Sequence, residues 1–330
     1  MSMKIIFPKP RQKKIVVTDT MTEIVNRTLA VHTLSALVVW SGQSRVGKTT
    51  TGCYMVDRLN QQFNESDPDS FRAVYYEVGE IKKGSGNEMK KGIRSLYRGA
   101  LHSQLDEGFY RNNPPEAIAE QLVYGLHRKH IGLVIVDEAG CLSLDAIRGM
   151  TLVRDNAESQ GYTLTIVFIG MDDLPQKMNL LPQVRYRVKE WCNFSQYTLD
   201  EVWVLLKELH PYFANLNGSK SAHREQVEVV HELCLGLPGL IIPFVQKFDY
   251  RLTNYAGEVD VKFLRAVYEL TNMSMIAALK ESGQNYHPYK PGGPDKKQKA
   301  VPKAPQDKPN KKRRRGSKKN VIPFTPNKSP

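Results

Sequence analysis

The sequence predicts an α/β fold: a parallel, doubly wound sheet with a small helical lid and a disordered basic C-terminal tail. Three observations predict it. Gly42 to Thr49 reads G-x-x-x-x-G-K-T, set between an apolar run, Ala36 to Trp40, and a segment carrying Met55, Val56 and Leu59 at helical spacing. Further on, Gly132-Leu133-Val134-Ile135-Val136-Asp137-Glu138 is a buried-strand pattern that ends in two acids. Around these, β-branched and aromatic runs alternate with amphipathic segments, which is the signature of strands joined by crossover helices.

Taken in order, Lys4 to Lys14 form a basic arm, and Thr20 with Glu23 matches a capping box that predicts a helix over 21–34. The first strand, 36–40, leads through the glycine loop into a helix from Thr50 to Asn60. A polar turn, 64–70, precedes a second strand, Phe71 to Val78. After a loop from Gly79 to Asn87, a helix carries Met89, Ile93, Leu96, Tyr97 and Leu101 on one face. Another runs from Glu116 to Lys129, with Pro114-Pro115 at its entry, where a missing N–H does no harm. The strand at 132–138 is followed by a helix at 143–159, and Tyr162 to Ile169 makes a fourth strand. Pro175 to Trp191 reads as a short helical link. From Thr198 the pattern is helical throughout: to about His210, from Ala222 to Cys234, from Leu237, and from Val259 to Lys280. These segments divide the chain into an arm (1–30), an α/β core (31–195), a helical lid (196–282) and a tail (283–330).

The glycine loop is a phosphate cradle. Glycine lets the backbone curl so that successive N–H groups, from Gly42 through Ser44, Val46 and Gly47 to Thr50, point at phosphate oxygens. Lys48 adds a point charge at the β- and γ-phosphates, and the Thr49 hydroxyl is placed to hold Mg²⁺. Open α/β sheets bind ligands at the carboxyl ends of their strands, where Asp137 and Glu138 fall. Asp137 is predicted to share the Mg²⁺ with Thr49, and Glu138 to polarise the attacking water. The predicted cofactors are ATP and Mg²⁺.

Composition narrows the class. In a chain of 330 residues with net charge +13, the segment 283–330 holds eleven lysines and three arginines against two aspartates, or +12. The remainder, with 33 basic and 32 acidic residues, is nearly neutral. Such a Pro-, Lys- and Gly-rich tail cannot bury a core and is predicted to be disordered and to attract polyanions. Cys53, Cys141, Cys192 and Cys234 are far apart, which suits reduced thiols better than a zinc site or a disulfide framework. The polar start and the lack of a long apolar run predict a soluble, intracellular protein.

Together, the loop 42–49, Val134-Ile135-Val136-Asp137-Glu138-Ala139, Val167-Phe168-Ile169-Gly170-Met171-Asp172-Asp173-Leu174 and the lid pattern resemble an AAA+ ATPase. Within that class the likeness is to the regulators of DNA transposition of the TnsC, TniB, MuB and IstB kind, nearest to TnsC, on the strength also of Arg185-Tyr186-Arg187. The resemblance implies a DNA-associated ATPase that assembles on duplex DNA as a ring or helical filament, marks the target, and recruits or activates a transposase. It implies that Arg185 or Arg187 completes a neighbouring subunit's ATP site. It also implies that the loop bearing Lys82 and Lys83, with Lys90 and Lys91 beyond it, faces the DNA backbone. Two departures stand out. The sensor position after the fourth strand is left to Asp172, and Leu240-Ile241-Ile242 follow Gly239 where a lid arginine is usual. Slow hydrolysis is one consequence. Two further readings stay open: an AAA+ loader or signalling ATPase acting on proteins, and a nucleotide-gated scaffold with vestigial hydrolysis.

Overall fold

The computed structural model describes residues 15–78, 87–216 and 220–270. Five parallel strands form one sheet in the order β2-β3-β4-β1-β5: β1 Leu37–Gly42, β2 Arg72–Glu77, β3 Ile131–Asp137, β4 Thr165–Ile169 and β5 Val188–Phe194. β1, β3 and β4 are buried along their whole length, as continuous Val/Ile/Leu runs must be when both faces of a sheet are covered.

Successive residues of β1 serve opposite faces. Val38 and Trp40 pack with α1 (Asp19–Ala30), α2 (Lys48–Gln62) and the C-terminal helices. Leu37 and Val39 pack with α3 (Glu88–Leu101), α5 (Pro115–Arg128) and α6 (Leu144–Ser159). Buried Trp40 donates its indole N–H to Thr28 Oγ1 at 3.0 Å, which ties α1 to the sheet without an orphaned donor. The short helix α4 (Glu107–Asn112) lies between α3 and α5, and α7 (Leu174–Asn179) and α8 (Pro182–Arg185) follow β4.

β5 is a fifth strand in a stretch whose first part reads as a helical link. Val188, Cys192 and Phe194 are buried while Lys189 and Asn193 are exposed, so the apolar run is too broken to stand out. The start of α1 also differs. The cap is Thr18, whose hydroxyl accepts from Met21 N, and Thr20 Oγ1 instead donates to Glu201 Oε1 at 2.5 Å. Glu201 is the closing residue of a real capping box, with Thr198, that starts α9 (Leu199–Leu209). The predicted 21–34 helix is therefore 19–30, followed by a tight turn at His32–Leu34.

Beyond the sheet lie α9, α10 (Pro211–Ala214), α11 (Ser221–Cys234), α12 (Pro238–Leu252) and a final helix, α13, over 261–270. Phe213, Phe244 and Phe248 form their core, fully buried. The expectations placed on Lys82, Lys83, the end of the last helix and the tail fall outside the described residues.

Candidate nucleotide site

β1 ends at Gly42, where an added Cβ would lie 2.5 Å from Phe194 O, so the loop leaves the sheet against β5 with no room for a side chain. Gly47 caps α2 at φ 100°, a left-handed conformation that glycine adopts freely. Between them Gln43, Ser44 and Arg45 are exposed, whereas Val46 is buried in the core and anchors the loop. Thr50 is exposed on the first turn of α2. Lys48 is folded into the loop, its Nζ donating to Gly42 O at 2.7 Å and Gln43 O at 2.6 Å. Burial pulls its pKa down, opposed by the carboxylates of Asp137, Asp172 and Glu138. The predicted lysine and all three predicted acids therefore share one electrostatic neighbourhood.

Asp137 ends β3, buried, and is held by three donors. Thr49 Oγ1 donates to its Oδ2 at 2.6 Å, Tyr75 Oη to the same oxygen at 2.6 Å, and Glu138 N to Oδ1 at 2.8 Å. A hydroxyl at the head of α2 and a carboxylate at the end of β3 thus converge, a hard-oxygen pair that fits Mg²⁺ completed by phosphate oxygens and water. Glu138 stands at φ 55°, an unfavourable conformation for a residue with a Cβ. Its exposed carboxylate makes no hydrogen bond or ion pair with the described residues. That exposure leaves the carboxylate open to a water molecule. Asp172 is exposed in the turn after β4, at the same carboxyl edge.

Tyr75 is the site residue that sequence reasoning missed. It lies on β2 beside Ile135 of β3, and its ring passes over Gly52 of α2, where an added Cβ would be 3.5 Å from the ring carbons. That is ordinary van der Waals contact, and the tighter neighbour of such a Cβ would be Ile169 Cδ1 at 3.3 Å. Burial and the Asp137 carboxylate raise the phenol pKa, so Tyr75 remains a donor at neutral pH. The only sequence signal was a tyrosine near the end of a strand, which core packing explains equally well.

Arg185 and Arg187 lie elsewhere. Arg187 O accepts from Leu37 N at 3.1 Å, at the start of β1, whereas the phosphate loop begins at its end. Six strand residues at about 3.3 Å each separate the two by roughly 17–20 Å. The Arg187 guanidinium is committed internally, to Asp155 Oδ1 at 2.7 Å and Gln183 O at 2.5 Å. Arg185 is exposed, and its guanidinium has no partner among the described residues; Tyr186 beside it is 78% exposed.

Lys90 and Lys91 open α3. Lys90 Nζ donates to Arg111 O at 3.2 Å, and Lys91 Nζ pairs with Glu88 at 2.6 Å. The first turn is capped by its own Asn87, whose Oδ1 accepts from Lys90 N.

Among known proteins, residues 32–178 match the family described as the AAA domain. No curated protein matches the sequence. In structure the chain is similar to the ORC2 protein of Aeropyrum pernix in its ADPNP-ADP complexes, with TM-score 0.55 and 14% identity over 80% of this chain and 69% of that one. It is similar to Cdc6p from Pyrobaculum aerophilum, with TM-score 0.52 and 17% identity over 74% of this chain and 65% of that one. Drosophila ORC bound to DNA gives TM-score 0.52 and 14% identity, covering 85% of this chain and 72% of its own. The fold is that of an AAA+ P-loop NTPase. No described helix is long and apolar enough to cross a membrane.

Proposed function

We propose that this chain is an ATP-hydrolysing AAA+ regulator of DNA transposition that oligomerises on duplex DNA, marks the target and recruits or activates a transposase. The observation that carries the ATP reading is the convergence of Lys48, Thr49, Asp137 and Glu138 at the carboxyl edge of the sheet. Lys48 neutralises β- and γ-phosphate charge, and Thr49 with Asp137 holds Mg²⁺, which supplies charge stabilisation at the transferring phosphoryl group. Glu138 orients the attacking water, and Asp172 completes the acidic rim facing the γ-phosphate.

Arg185 supports the oligomer. A partnerless guanidinium at the far end of the sheet cannot serve its own loop but is free to enter a neighbour's site, where it stabilises transition-state charge. Arg187, tied to Asp155, is better suited to hold that segment in place. Within this reading, residues 31–195 act as the nucleotide core and 196–282 as the lid. Lys82 and Lys83 carry the DNA contact, assisted by Lys90 and Lys91 when their internal bonds exchange for phosphate, and each subunit needs few contacts because the assembly multiplies them. Target DNA and transposase enter through the resemblance to TnsC-like proteins. A second reading is an AAA+ loader or signalling ATPase acting on protein partners, with the fold shared by Drosophila ORC bound to DNA.

Electron microscopy with duplex DNA and a non-hydrolysable ATP analogue, beside ATPase rates with and without DNA, tests the proposal. DNA-dependent rings or filaments are expected, with slow turnover. Their absence overturns the oligomer on DNA, and intact filaments without hydrolysis turn the protein into a nucleotide-gated scaffold.

A further inference from the structure

The phosphate loop carries an arginine with no part in the site described above. Arg45 stands at φ 70°, in the left-handed region that side chains rarely occupy and that glycine would occupy without strain. It is exposed and faces the first turn of α12. Gly239 N donates to Arg45 O at 3.1 Å, and Arg45 Nη1 donates to Gly239 O at 3.4 Å, so the loop and the helix are clasped in both directions. The fit is close: an added Cβ on Gly239 would lie 2.6 Å from Arg45 Cβ. Pro238 and Tyr197 roof the same loop, with Pro238 Cγ and Tyr197 Oη 3.7 and 3.5 Å from the Cβ position of Gly47. No carboxylate pairs with the Arg45 guanidinium among the described residues.

We propose that Arg45 is a nucleotide-binding and positioning residue: its guanidinium takes up polyphosphate charge at the loop and couples it to the docking of α12. The inference rests on the reading of the loop as an ATP site. Arg45 packs on Gly239, directly before Leu240-Ile241-Ile242, where a lid arginine is usual. The charge that the helical region fails to bring is carried on the loop itself, three residues before Lys48. A phosphate held in the loop orders the Arg45 backbone, and that backbone is one half of the clasp on Gly239. Occupancy of the loop and seating of α12 therefore become one event, and a third phosphate strengthens it by adding charge for the guanidinium to meet.

The test uses the full chain with Arg45→Gly and Arg45→Lys. Binding of fluorescent ATP and ADP analogues is measured with Mg²⁺, beside hydrogen exchange of residues 238–252 with and without nucleotide. Arg45→Gly removes the backbone strain, so its nucleotide-free thermal midpoint should equal or exceed that of the wild type. Its affinity for the ATP analogue should nevertheless fall about ten-fold or more, with a smaller loss for ADP, and nucleotide should protect α12 less than in the wild type, since only the backbone half of the clasp remains. Arg45→Lys should recover part of the affinity but little of the protection, since lysine offers charge without the fork. Wild type that binds nucleotide while Arg45→Gly matches it in ATP affinity and in protection of α12 overturns this inference alone. Wild type that binds neither analogue overturns the ATP reading and this inference with it.

Discussion

Replacing Tyr75 by Phe isolates one hydroxyl at the heart of the site. The ring keeps its place over Gly52, so packing is preserved and the change reduces to a lost bond from Tyr75 Oη to Asp137 Oδ2 at 2.6 Å. A hydrogen bond to a charged acceptor contributes about 1.5–3 kcal/mol. Asp137 keeps two other donors, Thr49 Oγ1 and Glu138 N, and is not orphaned, which places the cost near the lower bound. At about 2–4 °C per kcal/mol for a domain of this size, the thermal midpoint should fall by roughly 3–6 °C. The second effect is specific to the metal. Thr49 and Asp137 would hold Mg²⁺ together, and Tyr75 would then be the side-chain donor that orients the Asp137 carboxylate. Losing such an outer partner typically weakens metal affinity about 10- to 100-fold. Circular dichroism melts without nucleotide, and Mg²⁺ titration of ATP-analogue binding, read the two effects separately. An unchanged midpoint together with an unchanged Mg²⁺ requirement would refute the assignment of Tyr75 to the site.

Three further outcomes are expected. Arg185→Ala should cut ATP turnover about 10³-fold with an unmoved thermal midpoint, and mixing it with Lys48→Ala subunits should restore part of the rate; no recovery on mixing means that Arg185 does not act across subunits. Gly92→Ala should destabilise by about 1–3 kcal/mol in urea titration, because an added Cβ would lie 2.2 Å from Ala146 O, where α3 and α6 touch backbone to backbone; a stability change within error would show that the helices separate freely. Stability should also fall in acid through His32, which stacks on Phe71 at 3.9 Å and whose pKa burial lowers to about 4 from 6.5. The unfolded chain binds that proton first, so the contribution is full above about pH 6.5 and is lost as pH falls towards 4, amounting to about 3 kcal/mol. A His32→Gln variant should lack that part of the slope, and an identical slope in both proteins removes His32 as its source.

Much of the candidate site is legible in the sequence because its residues are contiguous. A strand, a glycine turn and a helix start are contiguous in sequence, so Gly42, Gly47, Lys48 and Thr49 announce themselves by spacing alone. Asp137 and Glu138 do the same at the end of an unbroken apolar strand, and the alternation of strands and helices implies the parallel sheet. The helical pattern starting at Thr198 marked the start of α9 likewise, and in the structure Thr198 and Glu201 form a capping box there. At the N-terminus the equivalent pattern at Thr20 misled, because Glu201, remote in sequence, bonds Thr20 while Thr18 caps the helix.

The tertiary structure decided what depends on elements meeting across the sheet. Sequence spacing cannot reveal that β2 lies beside β3 and brings the Tyr75 hydroxyl to Asp137. It cannot reveal that Gly239 nests on Arg45, because the two meet only once α12 folds back over the loop. Arg185 and Arg187, both sequence candidates with Arg185 slightly ahead, separated when Asp155 took Arg187 and left Arg185 in solvent. The phosphate loop was legible from the chain alone, whereas the residues that hold, roof and complete it were fixed by long-range packing.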